Sequence, residues 1–325
     1  MPSTDTLAPP ALRAFLDEII DYAGLFPPAG LPLDDALPRF ARYRQGADAW
    51  MLARFILPAR RLPDLDAFED VFTQDPPFRF SVLGTGGADA DAFAGALATD
   101  LDAIRAAHTR HAGRVQVEAM EVRLPETLVG AGEAAVRDVL GRVREALAGM
   151  PPLALFFELP VEARIRETAP PVLAALAAYN EDDAATAGLK MRTGGLEPDA
   201  FPHPGPLAHA VVACRDAGVP FKATAGLHHP VRHYDAGVRA TMYGFLNVFG
   251  AAVMAATHGL DEAAVRALLT DEDAAHFRFD DDGFRWKNLT ADADAVRRAR
   301  RTLALSFGSC SFDEPRDDLR ALGLL

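Results

Sequence analysis

Lysine is nearly missing from this chain: of 33 basic residues only Lys190, Lys222 and Lys287 are lysines, and arginine supplies the rest. Cysteine is scarcer still. Cys214 and Cys310 are the whole complement, too few and too widely spaced for a disulfide framework, and in keeping with a reducing cytoplasm. Basic charge is not in excess either. A net charge of −13 argues against nucleic acid or an anionic membrane as partner, while leaving room for a local basic pocket. The start, MPSTDTLAPPALRAF, lacks the basic-then-apolar pattern of a secretion signal. The most apolar run, TMYGFLNVFGAAVMAA at 241–256, is shorter than the ~20 residues a spanning helix needs and carries Asn247, so it predicts a buried helix. A cytoplasmic protein acting on a small molecule is the expectation that survives these absences.

What is present is a rhythm. Short β-rich runs alternate with longer stretches of helical period. The runs are YAGLFPP (22–28), MLARFILP (51–58), FRFSVLG (78–84), VQVEAMEVRL (115–124), LALFFELP (152–159 plus Pro160), GLKMRT (188–193), PFKATAG (220–226) and LALSFGSCSF (303–312). The first is the weakest strand, because Pro27-Pro28 closes it. The intervening helices end near Gly113, Gly149 and Gly218, each a C-cap candidate. Strand starts recur roughly every 27–38 residues, the size of one βα unit. Eight units predict a single α/β domain over residues 1–325, a (β/α)₈ TIM barrel with an α+β insertion at about 227–302, before the last strand. Within it, FRF and FRW flank an Asp-Asp-Gly turn and predict a β-hairpin. Three roles are open to that hairpin: a lid, a contact in a homo-oligomer, or a cover for the barrel.

In such a barrel the reactive groups stand at the C-terminal strand ends, on the inward face. Side chains alternate along a strand, so Lys190 and Arg192 share one face, and Lys222 and Thr224 share another. Glu118 lies late in the fourth run and Glu158 ends the fifth. Two lysines and two glutamates inside a barrel are costly to bury without purpose or partners. An amine, unlike a guanidinium, can lose its proton and attack a carbonyl to form a Schiff base. A second ammonium close by lowers the pKa of the first by like-charge repulsion. The competing reading is two satisfied ion pairs with Glu118 or Glu158.

The segments GLKMRTGG and VPFKATAGLHHP, one helix apart, resemble the sixth and seventh strands of deoxyribose-phosphate aldolases. IIDYAGLFPPA, VEAMEV and FGSCS are more loosely similar to that family's first, fourth and last strands. The stronger likeness covers residues 187–230. It implies that Lys190 is the Schiff-base lysine, Lys222 its pKa-lowering neighbour, and Glu118 the proton relay, where the family has aspartate. It also implies substrate contacts from Thr193, Thr224 and Ser309. The family's glycine-rich phosphate loops are replaced here by AGLHHPVRHY and SCSFDEP, which puts phosphate recognition in doubt.

Three histidines, His228, His229 and His233, follow the seventh strand. The His228–His229 loop is expected to orient substrate together with Arg192. A different reading makes Glu118, Glu158 and His228 the ligands of a divalent metal. LGTGGADADAF departs from both the dinucleotide and Walker patterns, and Asp89 in it reads as a helix N-cap. Cys310 has no base nearby in sequence and reads as a packed thiol. The leading expectation is a cofactor-free class I aldolase-like lyase acting on a small carbonyl substrate, with Lys190, Lys222, Glu118 and Glu158 catalytic. The alternatives are a metal-dependent lyase or isomerase acting on a carboxylate, and a barrel that only binds a metabolite.

Overall fold

A computed structural model describes residues 8–181 and 186–325; the first seven residues of the start read for a leader lie outside them. Eight parallel strands close into a barrel. They are β1 (Ile20–Tyr22), β2 (Leu52–Pro58), β3 (Phe78–Leu83), β4 (Val115–Arg123), β5 (Ala154–Leu159), β6 (Ala187–Arg192), β7 (Phe221–Thr224) and, after other elements, β13 (Ala304–Ser309). This is the (β/α)₈ architecture that the eightfold rhythm predicts. The first strand needs correction: it is Ile20–Tyr22, earlier and shorter than 22–28. Its three residues bury both faces, and the chain leaves the barrel before the Pro27-Pro28 pair, which lacks the amide protons a ladder requires.

Helices α1 (Pro10–Leu16), α2 (Leu33–Tyr43), α3 (Ala90–His111), α4 (Glu126–Gly130), α5 (Glu133–Ala146), α6 (Ile165–Tyr179) and α7 (Pro204–Ala217) precede or link strands β1–β7. Asp89 caps α3, its carboxylate accepting from the Ala92 amide at 2.9 Å. Gly218 closes α7 in the left-handed conformation, where glycine carries no Cβ penalty.

Between β7 and β13 lie a hairpin of β8 (His233–Asp235) and β9 (Ala240–Met242), helices α8 (Phe245–His258) and α9 (Glu262–Leu269), a sheet of β10 (Phe277–Asp280), β11 (Gly283–Trp286) and β12 (Leu289–Ala291), and α10 (Ala293–Thr302); α11 (Asp313–Ala321) follows β13. The apolar run does form a buried helix, α8. Its buried polar residue is satisfied: Asn247 donates to the Leu268 and Asp271 carbonyls and accepts from the Arg232 amide. Among the described residues no helix is long and apolar enough to cross a membrane. The FRF/FRW hairpin pairs as expected, Phe277 opposite Trp286, and gains a third strand. Phe279 and Phe284 pack on Phe15 of α1, so this sheet covers the barrel at the end where strands begin, away from the mouth.

Barrels of this type are ordinarily filled by bulky branched side chains. This one carries charge along its axis. On each of four strands the inward residues alternate, one toward each end: Arg54 then Ile56, Phe156 then Glu158, Lys222 then Thr224, and Ser306 then Gly308. The first of each pair borders a cavity of about 760 Å³ at the N-terminal end. The second borders one of about 410 Å³ at the C-terminal mouth.

Candidate active site

The two lysines are brought together by strand register. Glu158, Lys190 and Lys222 are direct lateral partners on β5, β6 and β7, so their side chains enter the barrel side by side. Between the lysines stands a carboxylate that the sequence reading passed over, Glu121. Its Oε1 lies 2.5 Å from Lys222 Nζ and its Oε2 lies 3.1 Å from Lys190 Nζ. It also accepts from the Ser81 hydroxyl at 2.6 Å. Lys190 holds a second carboxylate, Glu158 Oε2, at 3.1 Å. Lys222 holds Asp21 Oδ2 at 2.8 Å, and Asp21 in turn accepts from Ser306 at 2.6 Å. Each buried cation thus has two carboxylates, the condition under which such groups are tolerated in a core.

Glu118 sits elsewhere. Its Oε2 lies 3.0 Å from Arg54 Nε, a residue of the N-terminal cavity wall. The cause is an irregularity in β4: Phe80 pairs with Val117 but Ser81 pairs with Ala119, leaving Glu118 as the extra residue. A bulge breaks the alternation, so Glu118 and Glu121, three positions apart, both face inward. The β4 carboxylate beside the lysines is therefore Glu121 and not Glu118. Strict alternation gave no sign of this, although both glutamates were visible in VEAMEV.

The electrostatics also reverse one expectation. Burial favours the neutral amine of Lys190, but the Glu121 and Glu158 carboxylates outweigh it and hold the amine above its ordinary value. Like-charge repulsion from Lys222 does not prevail, because Glu121 lies between the two cations. Burial likewise pushes the Glu121 carboxyl up, yet Lys222 and Lys190 overcome it and hold the group well below the usual carboxylate range.

The mouth cavity is lined by Lys190, Glu121 and Glu158 with Arg192, Thr224 and His228. Lys222 borders the opposite cavity. Thr193 is fully buried and donates to the Ala225 carbonyl at 2.6 Å. It thereby fixes a residue held at a positive φ of 62°, a backbone strain of about 1–2 kcal/mol. Beside it Gly194 and Gly226 are in backbone contact, and a Cβ on Gly194 would come within 2.9 Å of the Gly226 Cα. Ser309 is also buried and donates to the Ser311 carbonyl at 2.7 Å. His229 pairs with Asp318 at 2.5 Å and packs against His233. These three residues shape the mouth from behind its lining.

The trio Glu118, Glu158 and His228 does not converge: Glu118 is held by Arg54, Glu158 by Lys190, and His228 by Glu314 at 3.1 Å. Among the described residues no group of three or more His, Cys, Asp or Glu side chains is arranged to hold a metal ion.

Members of the buried network that sequence reasoning missed are Asp21, Ser81, Glu121 and Ser306. Asp21 had a signal, a carboxylate inside the apolar IIDY run. The serines had none, since a buried serine is recognised only by what it touches.

No family model matches the chain, and no curated protein matches it. Among solved structures, a chitinase from Chromobacterium violaceum ATCC 12472 is similar at 12% identity and a TM-score of 0.39, covering 78% of this chain and 98% of that one.

Proposed function

We propose that this barrel is a lyase of class I aldolase type, in which Lys190 forms a Schiff base with a small aldehyde or ketone in the mouth cavity. One observation carries the reading: the Lys190 amine and the Glu158 carboxylate, 3.1 Å apart, both line the cavity at the C-terminal end of the strands, where barrels of this fold place their chemistry.

The resting amine is protonated, so a proton must leave before attack. Glu158 is the acceptor, being in contact and open to the cavity. The carbinolamine that follows loses water when the same carboxyl returns that proton to its hydroxyl, leaving an iminium. The iminium draws electrons from the adjacent carbon, and a C–C bond there forms or breaks. Glu121 keeps its charge throughout, offsetting the iminium cation in a water-poor site. Lys222, drawn onto Asp21 and Glu121, acts by position: it fixes the carboxylate that fixes Lys190. Arg192 at the cavity wall is suited to a carboxylate or phosphate on the substrate. The likeness of residues 187–230 to deoxyribose-phosphate aldolases supports the same assignment of Lys190.

Borohydride reduction in the presence of small aldehydes and ketones tests this. A stable adduct on the peptide bearing Lys190, lost in Lys190→Arg, is expected. If the folded protein yields none with any carbonyl compound, the Schiff-base reading is wrong. The alternative is then a barrel that only binds a metabolite, with Lys190 a satisfied ion-pair partner of Glu121 and Glu158.

A further inference from the structure

Cys310 follows β13 and lines the mouth cavity together with His228, which follows β7. The Cys310 Sγ lies 3.9 Å from His228 Nδ1, and the same nitrogen lies 3.1 Å from Glu314 Oε2, contributed by α11. Two segments distant in sequence, the end of β7 and the turn from β13 into α11, thus assemble a thiol, an imidazole and a carboxylate at one side of the cavity. Other charges face this group. His229 lies 3.8 Å from Glu314 and 2.5 Å from Asp318, Asp235 acts on Glu314 from β8, and Lys190, Arg192 and Glu158 share the cavity wall. The chain's other cysteine, Cys214, is wholly buried in α7 and serves as an internal reference.

We propose that Cys310 and His228 form a thiolate–imidazolium pair, making Cys310 a second nucleophile of the mouth cavity that takes small α,β-unsaturated carbonyl compounds by conjugate addition. Nδ1 of His228, which faces both Sγ and the Glu314 carboxylate, carries the thiol proton and directs it between the two, and Glu314 stabilises the ring's charge. Sulfur attacks the β-carbon and a C–S bond forms. The C=C π pair moves to the α-carbon, which takes the proton from His228. The net change is addition of S–H across C=C, and no oxidant is consumed. Burial alone would push the His228 imidazole down, but its hydrogen bonds to Cys310 and Glu314 raise it to about 9, in line with an imidazolium at neutral pH. Cys214, by contrast, is pushed far up by burial and is inert. The site is independent of imine formation at Lys190.

The test uses the full chain and N-ethylmaleimide, an unsaturated imide that forms no Schiff base, with peptide mapping by mass spectrometry. One adduct is expected, on Cys310, with Cys214 unmodified while the protein is folded. Between pH 8 and 6 the rate should change by less than about threefold, where an unassisted thiol slows about tenfold per pH unit. His228→Gln should restore that ordinary slope and slow the reaction about tenfold or more at pH 7. An ordinary slope in the wild-type chain, or an unchanged rate at pH 7 in a folded His228→Gln, would overturn the pair. Should that variant fail to fold, the wild-type slope decides alone.

Discussion

Lys190 and Lys222 are joined through opposite oxygens of one carboxylate, Glu121, at 3.1 and 2.5 Å. This relationship governs both the stability of the barrel interior and the chemistry open to Lys190. Two ammoniums on neighbouring strands would repel strongly in a low-dielectric core. With a carboxylate between them they become a network, and each cation reaches a further acid, Glu158 or Asp21.

Removing Glu121 should be severe. Glu121→Gln leaves two buried cations with one carboxylate each, and a loss of about 3–5 kcal/mol is expected, as for breaking other buried ion pairs. Urea unfolding at pH 7 measures it. A loss below about 1 kcal/mol would mean that the network adds little to stability.

The pH profile of imine formation follows from the direction of the Lys190 shift. Glu121 and Glu158 together outweigh burial and raise the amine, so the reactive neutral form grows as pH rises. Trapping rates should climb about tenfold per pH unit from pH 7 to 9. A plateau already reached at pH 7 would show that substrate binding, or Lys222, lowers the amine after all.

Glu158→Gln separates two roles of one carboxylate. Losing its charge eases deprotonation of Lys190, so the acid limb should move to lower pH. Losing its proton-accepting capacity should cut the maximal trapping rate about 10²-fold. An unchanged maximum would assign the proton transfer to Glu121 or water.

His228 and Glu314 make a stability contribution of opposite pH sense to a carboxylate network. His228 is raised above its ordinary value to about 9. Its contribution is therefore fully present below about pH 6.5 and is lost as pH rises through about 9. Because Glu314 is partly exposed, the amount is on the order of 1 kcal/mol. Urea midpoints for the wild type and Glu314→Gln should differ at pH 6 and converge by pH 10. A constant difference would show that Glu314 acts by packing alone.

Much of this was readable in one dimension. Seven of the eight strands lie where β-rich runs predict them, because a strand buried on both faces must be apolar throughout and its neighbours must punctuate it. Scarcity marked Lys190 and Lys222, and their equal places in successive βα units implied lateral register. Glu121 takes the place beside the lysines expected of Glu118 because one extra residue in β4 shifts the alternation, and a bulge is fixed by pairing with β3 and has no local signature. Thr193 and Ser309 stand at the right strand ends but turn their hydroxyls to backbone carbonyls, which only the neighbouring loops could offer. Cys310 acquired a base 82 positions away because β7 and β13 are adjacent in the closed barrel.

By itself, then, the sequence determined the βα order, the closure into eight strands and the placing of two scarce lysines on neighbouring strands, since these rest on periodicity and composition, which are local. The tertiary structure decided which carboxylates meet which cations, the protonation of Lys190 and the company of Cys310. Those depend on distances of a few ångströms between residues far apart in the chain, and Coulomb energies and desolvation are set by such distances alone.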